Sequence, residues 1–387
     1  MHRDIRGEAI ASLASLDRTY MGDPQPAIVA AARLARDGRA AIYERNLSTG
    51  SSFIYPPIAA LLYRPLVGLP QDEARDWLAA ANHTLFIVVV TIMVQLACAR
   101  RKLRAWPAAG CAAAAILFYP LVHAVQLNQA TLLVTACIGG AWLALGDGGQ
   151  ALAGVVFAVA LVVKPQLVLV LPALAWGARR MVAASLVTAA ALLAVSLAYA
   201  GWDNHVDYLT RVLPSLARGY PYYANQGING FLYRWVPEEG LGVFRQAPDV
   251  AFVRWGSRAA AAGALAGTLV VARRWHTRGV PVTWTFALAW LAATMVSPVA
   301  WQHHYAPALF AFVAVTCAQR DAPAGSALRR PLVAALTGLA FSLTAAYFEV
   351  RQLEGVAARL LASYVLYGAV ALGAALVLAA ESRATRR

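Results

Sequence analysis

A chain of 387 residues with 60% hydrophobic and only 13% charged side chains, and a mean hydropathy of +0.56, is too apolar for a soluble domain. Its net charge of +14 would suggest nucleic acid in a soluble protein, but the basic residues cluster in short loops between apolar runs. Cytoplasmic loops of membrane proteins carry them there, which excludes a nucleic-acid partner and makes membrane lipid the surroundings of the chain.

In chain order, residues 1 to 20 are too polar to span a bilayer and hold no signal-peptide core. Asp23 then stands ahead of an Ala-rich amphipathic stretch, Ala30-Ala31-Ala32-Arg33-Leu34-Ala35, running on to Gly38 and Tyr43. By itself, an acid in that place reads as the N-cap of a short helix. Phe53-Ile54-Tyr55-Pro56-Pro57 follows, with Ala60 to Leu66 and Leu69-Pro70 behind it. Adjacent prolines stiffen an extended segment, which is either a rigid connector or an interfacial or re-entrant piece.

An apolar helix needs about 20 residues to cross the hydrocarbon layer. That length predicts spans near 78 to 98, 106 to 124, 127 to 146, 181 to 200, 255 to 272, 281 to 298, 304 to 318, 331 to 348 and 361 to 380. Lys164-Pro165 interrupts the stretch 151 to 177, leaving one kinked span or two short ones. Arg100, Arg101, Lys102, Arg104, Arg179-Arg180, Arg273-Arg274, Arg329-Arg330 and Arg386-Arg387 all want the cytoplasmic side, and only a hairpin at 151 to 177 satisfies them together. The fold class is therefore all-α, one polytopic transmembrane bundle over residues 1 to 387 with about ten to twelve spans, short broken helices included. Residues 78 to 380 form the bundle, and 1 to 77 an extracytoplasmic or interfacial region. Exporting that region ahead of the first span requires a signal, so a transmembrane helix is expected upstream of it or is missing from it. Cys98, Cys111, Cys137 and Cys317 lie within apolar segments without ligand spacing, and read as small core residues.

The same charge argument puts every polar motif on the extracytoplasmic side. Gln126-Leu127-Asn128-Gln129 places amides at the mouth of a span, and Lys164-Pro165-Gln166 stands inside apolar sequence. Among 33 basic residues only Lys102 and Lys164 are lysines, and an ionisable group at membrane depth costs enough that it tends to be functional, the alternative being a lysine that snorkels to the interface. Tyr222-Tyr223-Ala224-Asn225-Gln226-Gly227-Ile228-Asn229-Gly230-Phe231-Leu232-Tyr233-Arg234 mixes aromatic faces with amides, which suits a sugar ring or a lipid headgroup as well as an interfacial belt. Ser297-Pro298-Val299-Ala300-Trp301-Gln302-His303-His304-Tyr305 sets two histidines at a helix break without an acid or thiol at ligand spacing. A phosphate partner or proton transfer fits them better than a metal.

Taken together and in this order, from about residue 20 to 310, the motifs resemble glycosyltransferase family 87. The resemblance implies a GT-C fold and transfer of a hexose, mannose above all, from a polyprenyl-phosphate sugar donor to a hydroxyl of a lipid or glycan acceptor. The implied site is the outer face of a bacterial cytoplasmic membrane. It further implies that Asp23 is the general base, and that Lys164 and one of His303 or His304 contact the donor phosphate or assist proton transfer. Asn128, Gln129, Asn225, Gln226 and Arg234 fall at positions of binding character, with Tyr55 in the Tyr-Pro-Pro motif beside them. Because the phosphate supplies the leaving group, neither a metal nor a cofactor is called for. Family members carry aromatics shortly after the acid, where Pro24, Ala27 and Ile28 stand here, which makes Asp17 the alternative base. The sequence motifs themselves do not separate mannose from arabinose or glucose. The rival class is a transporter or lipid flippase, against which stand the lack of an internal repeat and the gathering of polar motifs at one face.

Overall fold

The computed structural model describes residues 5 to 14, 24 to 38, 40 to 43, 52 to 98, 105 to 236, 248 to 320, 329 to 350 and 355 to 384. Asp17, Asp23, Glu238, Glu239 and the basic cluster at 100 to 104 lie outside them. The described chain is helical, with a single isolated bridge between Asn225 and Trp301.

α1 (Ile5–Ala11) precedes α2 (Gln25–Arg36), which buries Ala27, Ala30, Ala31 and Leu34. That i, i+3, i+4, i+7 spacing forms one apolar stripe. The stripe packs on α3 (Ala59–Tyr63) in a cluster with Tyr43, Phe53 and Tyr208. Pro24, which has no side chain to cap with, occupies the N-cap of α2.

α4 (Gln71–Cys98) is followed by α5 (Ala105–Leu117) and α6 (Tyr119–Gln126). A single span at 106 to 124 was expected, but α5 and α6 meet at a bend of 64°. Pro120 accounts for it, since its ring cannot sit beside the carbonyl four residues back, and Phe118 is extended at ψ 94°. α7 (Thr131–Gly146) and α8 (Gln150–Val163) run on to Lys164, a 3-10 segment Pro165–Val170, and α9 (Leu171–Leu174). α10 (Arg179–Asp207) begins where α8 began: Gln150 donates to the Gly177 carbonyl at 3.3 Å and accepts from the Arg180 amide at 3.3 Å. Residues 151 to 177 thus form the hairpin that the charges demanded, with Lys164 at its tip. Gly154 lets α10 press against α8, because a Cβ there would lie 2.4 Å from the Met181 carbonyl oxygen.

The polar stretch after 201, beyond the expected span at 181 to 200, stays helical. Gly201, at φ 73°, turns the chain without ending it, and a π-helical turn Tyr208–Val212 leads into α11 (Leu213–Arg218). Asn204, His205, Tyr208 and Val212 recur at helical spacing and are buried. Two of them join the α2 cluster, and Asn204 accepts from the Ile42 amide and donates to the Ala40 carbonyl. Tertiary packing on α2 makes a helix of sequence too polar to cross a bilayer.

α12 (Ile228–Tyr233), α13 (Ala251–Thr277) and α14 (Val282–Val296) follow, then a 3-10 turn Gln302–Tyr305 and α15 (Ala308–Arg320). α16 (Arg329–Ala345), α17 (Gly355–Leu361) and α18 (Tyr364–Ala384) complete the bundle. Among the described residues three helices are long and apolar enough to cross a membrane, Gln71–Cys98, Arg179–Arg218 and Tyr364–Ser382, and the α5–α6 pair would make a fourth. Thr131–Gly146, Gln150–Val163, Pro165–Leu174, Val282–Val296 and Arg330–Ala345 are apolar but shorter. The expected ten to twelve spans include such short and broken pieces.

The two ends of the bundle differ in character. One holds Gln150, Gly177 and Arg180, with the side chains of His276 and Val282 close to Gly177 and an Arg274–Glu381 ion pair at 3.0 Å. The other gathers the polar motifs.

Candidate active site

Lys164 sits between α8 and the 3-10 segment that Pro165 opens, where its side chain leaves the helix surface. The Nζ atom lies 2.5 Å from His304 Nε2 in the turn after α14, and 5.8 Å from the centre of the Tyr55 ring. Three motifs far apart in sequence thus meet at one buried ammonium. The Val299 backbone also engages His304, and with the ring hydrogen on Nδ1 the Nε2 atom is free to accept from Lys164. Burial, with the neighbouring Lys164 charge next in importance, holds the His304 imidazole well below its ordinary pKa. Burial also pushes the Lys164 ammonium down to about 7.

His303 points elsewhere. Its ring meets His304 at 4.7 Å and His123 at 5.7 Å, edge to face, and His123 stacks on Tyr119 at 4.9 Å. Burial first, then the His304 ring, lowers its pKa as well. Its buried Nε2 has no hydrogen-bond partner among the described residues. Adjacent on one backbone, the two histidines face different neighbours, and His304 is the one at the lysine. A small cavity borders the Lys164–His304 pair, lined by Thr131, Thr135, Gln166, Trp290, Thr294 and Ser297 among others.

The loop Tyr220–Arg234 is locked to the histidine segment. Asn225 donates to the Tyr220 and Pro298 carbonyls and accepts from the Ala300 amide, while the Gln226 amide donates to the Ala300 carbonyl. Gln226 donates to the Tyr223 and Ala362 carbonyls and accepts from the Val365 amide. The buried Arg234 guanidinium donates to the Tyr223 and Asn225 carbonyls and to the Ser363 hydroxyl. These three side chains, expected to bind substrate, are bonded to backbone and a serine, and hold the loop so that its Tyr220 and Tyr222 rings meet Trp301 of the histidine segment. Gly230 permits that closeness, since a Cβ there would lie 2.2 Å from the Asn225 carbonyl oxygen.

Asn128 adopts the left-handed conformation, φ 57°, which asparagine tolerates better than most residues. Its side chain accepts from Asn82 at 2.7 Å, fixing the turn into α7 against α4. Gln129 accepts from the Thr131 hydroxyl, which puts it one residue contact from the cavity wall. Tyr55 also receives the Tyr43 hydroxyl on its carbonyl, tying the Tyr-Pro-Pro motif to the region after α2.

A sequence model of glycosyltransferase family 87 matches residues 53 to 298. The chain belongs to glycosyltransferase family 87. No curated protein and no solved structure matches it. The family match takes in Tyr55, Asn128, Gln129, Lys164, Asn225, Gln226 and Arg234; it begins after Asp23 and ends before His303 and His304. This family member is a membrane glycosyltransferase, with a donor and an acceptor to accommodate, and its apolar helices embed it in lipid.

Several residues at this end went unread in the sequence. Tyr119 and His123 enter through the bend at Phe118, and Gln302 donates to the Tyr364 hydroxyl at 2.7 Å. Tyr347 meets Tyr119 at 5.0 Å and donates to Glu349 at 3.1 Å. In sequence only the aromatic-acid run after α16 could have marked the last pair, and it lies beyond the family match.

Proposed function

We propose that this family 87 enzyme transfers a hexose, mannose by its sequence resemblance, from a polyprenyl-phosphate sugar to a hydroxyl of a lipid or glycan acceptor, at the outer face of a bacterial cytoplasmic membrane. The observation that carries this reading is the buried Lys164–His304 pair under Tyr55, a cation bordering a small cavity at the break between α8 and the 3-10 segment that follows it. As the acceptor oxygen attacks the anomeric carbon, Asp23 takes its proton and the bond from that carbon to the phosphate oxygen breaks. The electron pair leaves with the polyprenyl phosphate, whose charge Lys164 neutralises in a water-poor setting where such contacts are strong. His304 holds the ammonium in place through its neutral Nε2. Asn225, Gln226 and Arg234 act through the loop they brace, and Asn128 and Gln129 through the α7 end of the cavity.

The test is to offer the purified protein a panel of labelled polyprenyl-phosphate mannose, glucose and arabinose with a membrane lipid extract. Transfer from the mannose donor is expected. No transfer from any of the three would overturn the donor class, and transfer from another sugar alone would overturn mannose.

A further inference from the structure

Towards the end of the bundle away from Lys164, α4, α5, α15 and α16 line a cavity of about 520 Å³, against about 20 Å³ for the one beside the lysine. Gly110 and Ala114 of α5 and Ala334 and Gly338 of α16 stand in its walls, and a Cβ on either glycine would meet nothing within 4 Å. Small side chains on both walls keep the groove open. Along α15 it runs from Gln319 to Phe312, about 10 Å at the helical rise, or two-thirds of one leaflet of a hydrocarbon layer roughly 30 Å thick. Its inner end is closed by three rings: Phe312 meets Phe118 at 6.1 Å and Phe341 at 5.3 Å, and Phe118 meets Phe341 at 5.9 Å. Phe118 directly precedes Tyr119, so these rings stand between the groove and the polar end. The outer end is basic. Gln319 lines the cavity there, Arg330 Nη2 donates to the Gln319 carbonyl at 3.2 Å, and the exposed Arg320 is next in sequence. By sequence, residues 99 to 104 and 320 to 330, which join these helices in pairs, hold four and three basic residues against one acid, Asp321.

We propose that this groove binds an anionic phospholipid, with one acyl chain lying between α5 and α16 and the headgroup phosphate at Arg320 and Arg330. An apolar groove left empty forfeits dispersion contacts along its whole lining, and in a bilayer a lipid chain is the molecule at hand to restore them. The basic end selects the headgroup, because basic pockets between transmembrane helices attract anionic lipids and a guanidinium fork fits phosphate oxygens in two parallel hydrogen bonds. A zwitterionic lipid carries the same phosphate, but its own ammonium offsets the attraction. The ring closure at Phe118 sets this lipid apart from the sugar donor, whose phosphate is placed at Lys164 beyond those rings. Nothing in the site depends on which sugar is transferred or on what carries it.

The full chain in detergent can be titrated with palmitoyl-oleoyl phosphatidylglycerol and with phosphatidylcholine of the same chains, binding being read by native mass spectrometry. Phosphatidylglycerol should bind about fivefold or more tightly, the size of one arginine's attraction to an anionic headgroup. Gly338→Leu, or Gly110→Leu if the first does not fold, fills the groove and should abolish that binding; both glycines lie inside helices, where leucine is the better helix former. Arg320→Gln together with Arg330→Gln should erase the difference between the two lipids. With Cys98, Cys111 and Cys137 replaced by alanine, phosphatidylglycerol should also slow maleimide alkylation of Cys317, which lines the groove. Equal binding of the two lipids by the wild-type protein, unchanged binding in the leucine variants, or alkylation of Cys317 that the lipid does not slow would overturn the site. So would tighter binding of undecaprenyl phosphate that the leucine variants abolish, which would give the groove to the donor's tail. Binding is read without turnover, so a failure of the proposed transfer reaction appears separately, in the donor panel.

Discussion

Lys164 is where residue chemistry can be tested most sharply. Lys164→Met keeps length and apolarity while deleting the charge, so the protein should fold and its donor KM should rise at least tenfold, the value of about 1.5 to 3 kcal/mol for a charged hydrogen bond. The pH dependence has a definite sign. A lysine pushed down to about 7 by burial is charged below that pH and neutral above it, so donor affinity should be full in acid and fall as pH rises through about 7. Lys164→Arg should bind donor without that dependence, since a guanidinium stays charged; a wild-type donor KM flat from pH 6 to 9 would remove Lys164 from the site. For Asp23 the neutral isostere is the decisive variant. Asp23→Asn should insert and bind donor normally while turnover falls by the general-base factor of about 100 to 10,000. Near-normal turnover in Asp23→Asn, with loss in Asp17→Asn, would move the base to Asp17.

Among the elements, the loop between α11 and α12 is the most demanding. Three bonds of the Asn225 side chain and its backbone bridge to Trp301 run to Tyr220 and to residues 298 to 301, so the loop and the histidine turn form one unit. Gly230→Ala would place a methyl where the Asn225 carbonyl oxygen stands, 2.2 Å away, forcing the two apart. The expected result is a lower thermal midpoint together with reduced turnover; a Gly230→Ala enzyme with both unchanged would show that the loop does not need this contact. At this scale the sequence was only partly legible. The hairpin at 151 to 177 follows from charge parity alone, because each arginine cluster counts crossings independently of packing. The bend at Phe118 was hidden, because Pro120 sits in an apolar run that a hydropathy ruler reads as continuous.

For the whole molecule, one end carries Arg179, Arg180, Arg274 and Arg278 and the opposite end carries Lys164, the histidines and the Tyr220–Arg234 loop. Expected sidedness follows from the basic end: residues 273 to 278 should face the cytoplasm and residues 219 to 227 the exterior. The four native cysteines would first be replaced, then single cysteines placed at 277 and 222 and treated with an impermeant thiol reagent in intact cells. Labelling at 222 and protection at 277 are expected, and the reverse would invert the orientation of the enzyme.

What sequence alone determined are the properties that add up along a chain: apolar composition, arginine distribution, motif order, and through these the membrane class, the hairpin and the family. Tertiary structure decided which polar groups meet. Lys164 and His304 are 140 residues apart, and nothing local distinguishes His304 from His303. The choice depends on the direction in which a 3-10 turn presents each side chain. Likewise the bonds of Asn225, Gln226 and Arg234 to backbone groups far along the chain are visible only in the fold. A buried carbonyl or amide must find a partner, and in this fold those side chains are the partners it finds.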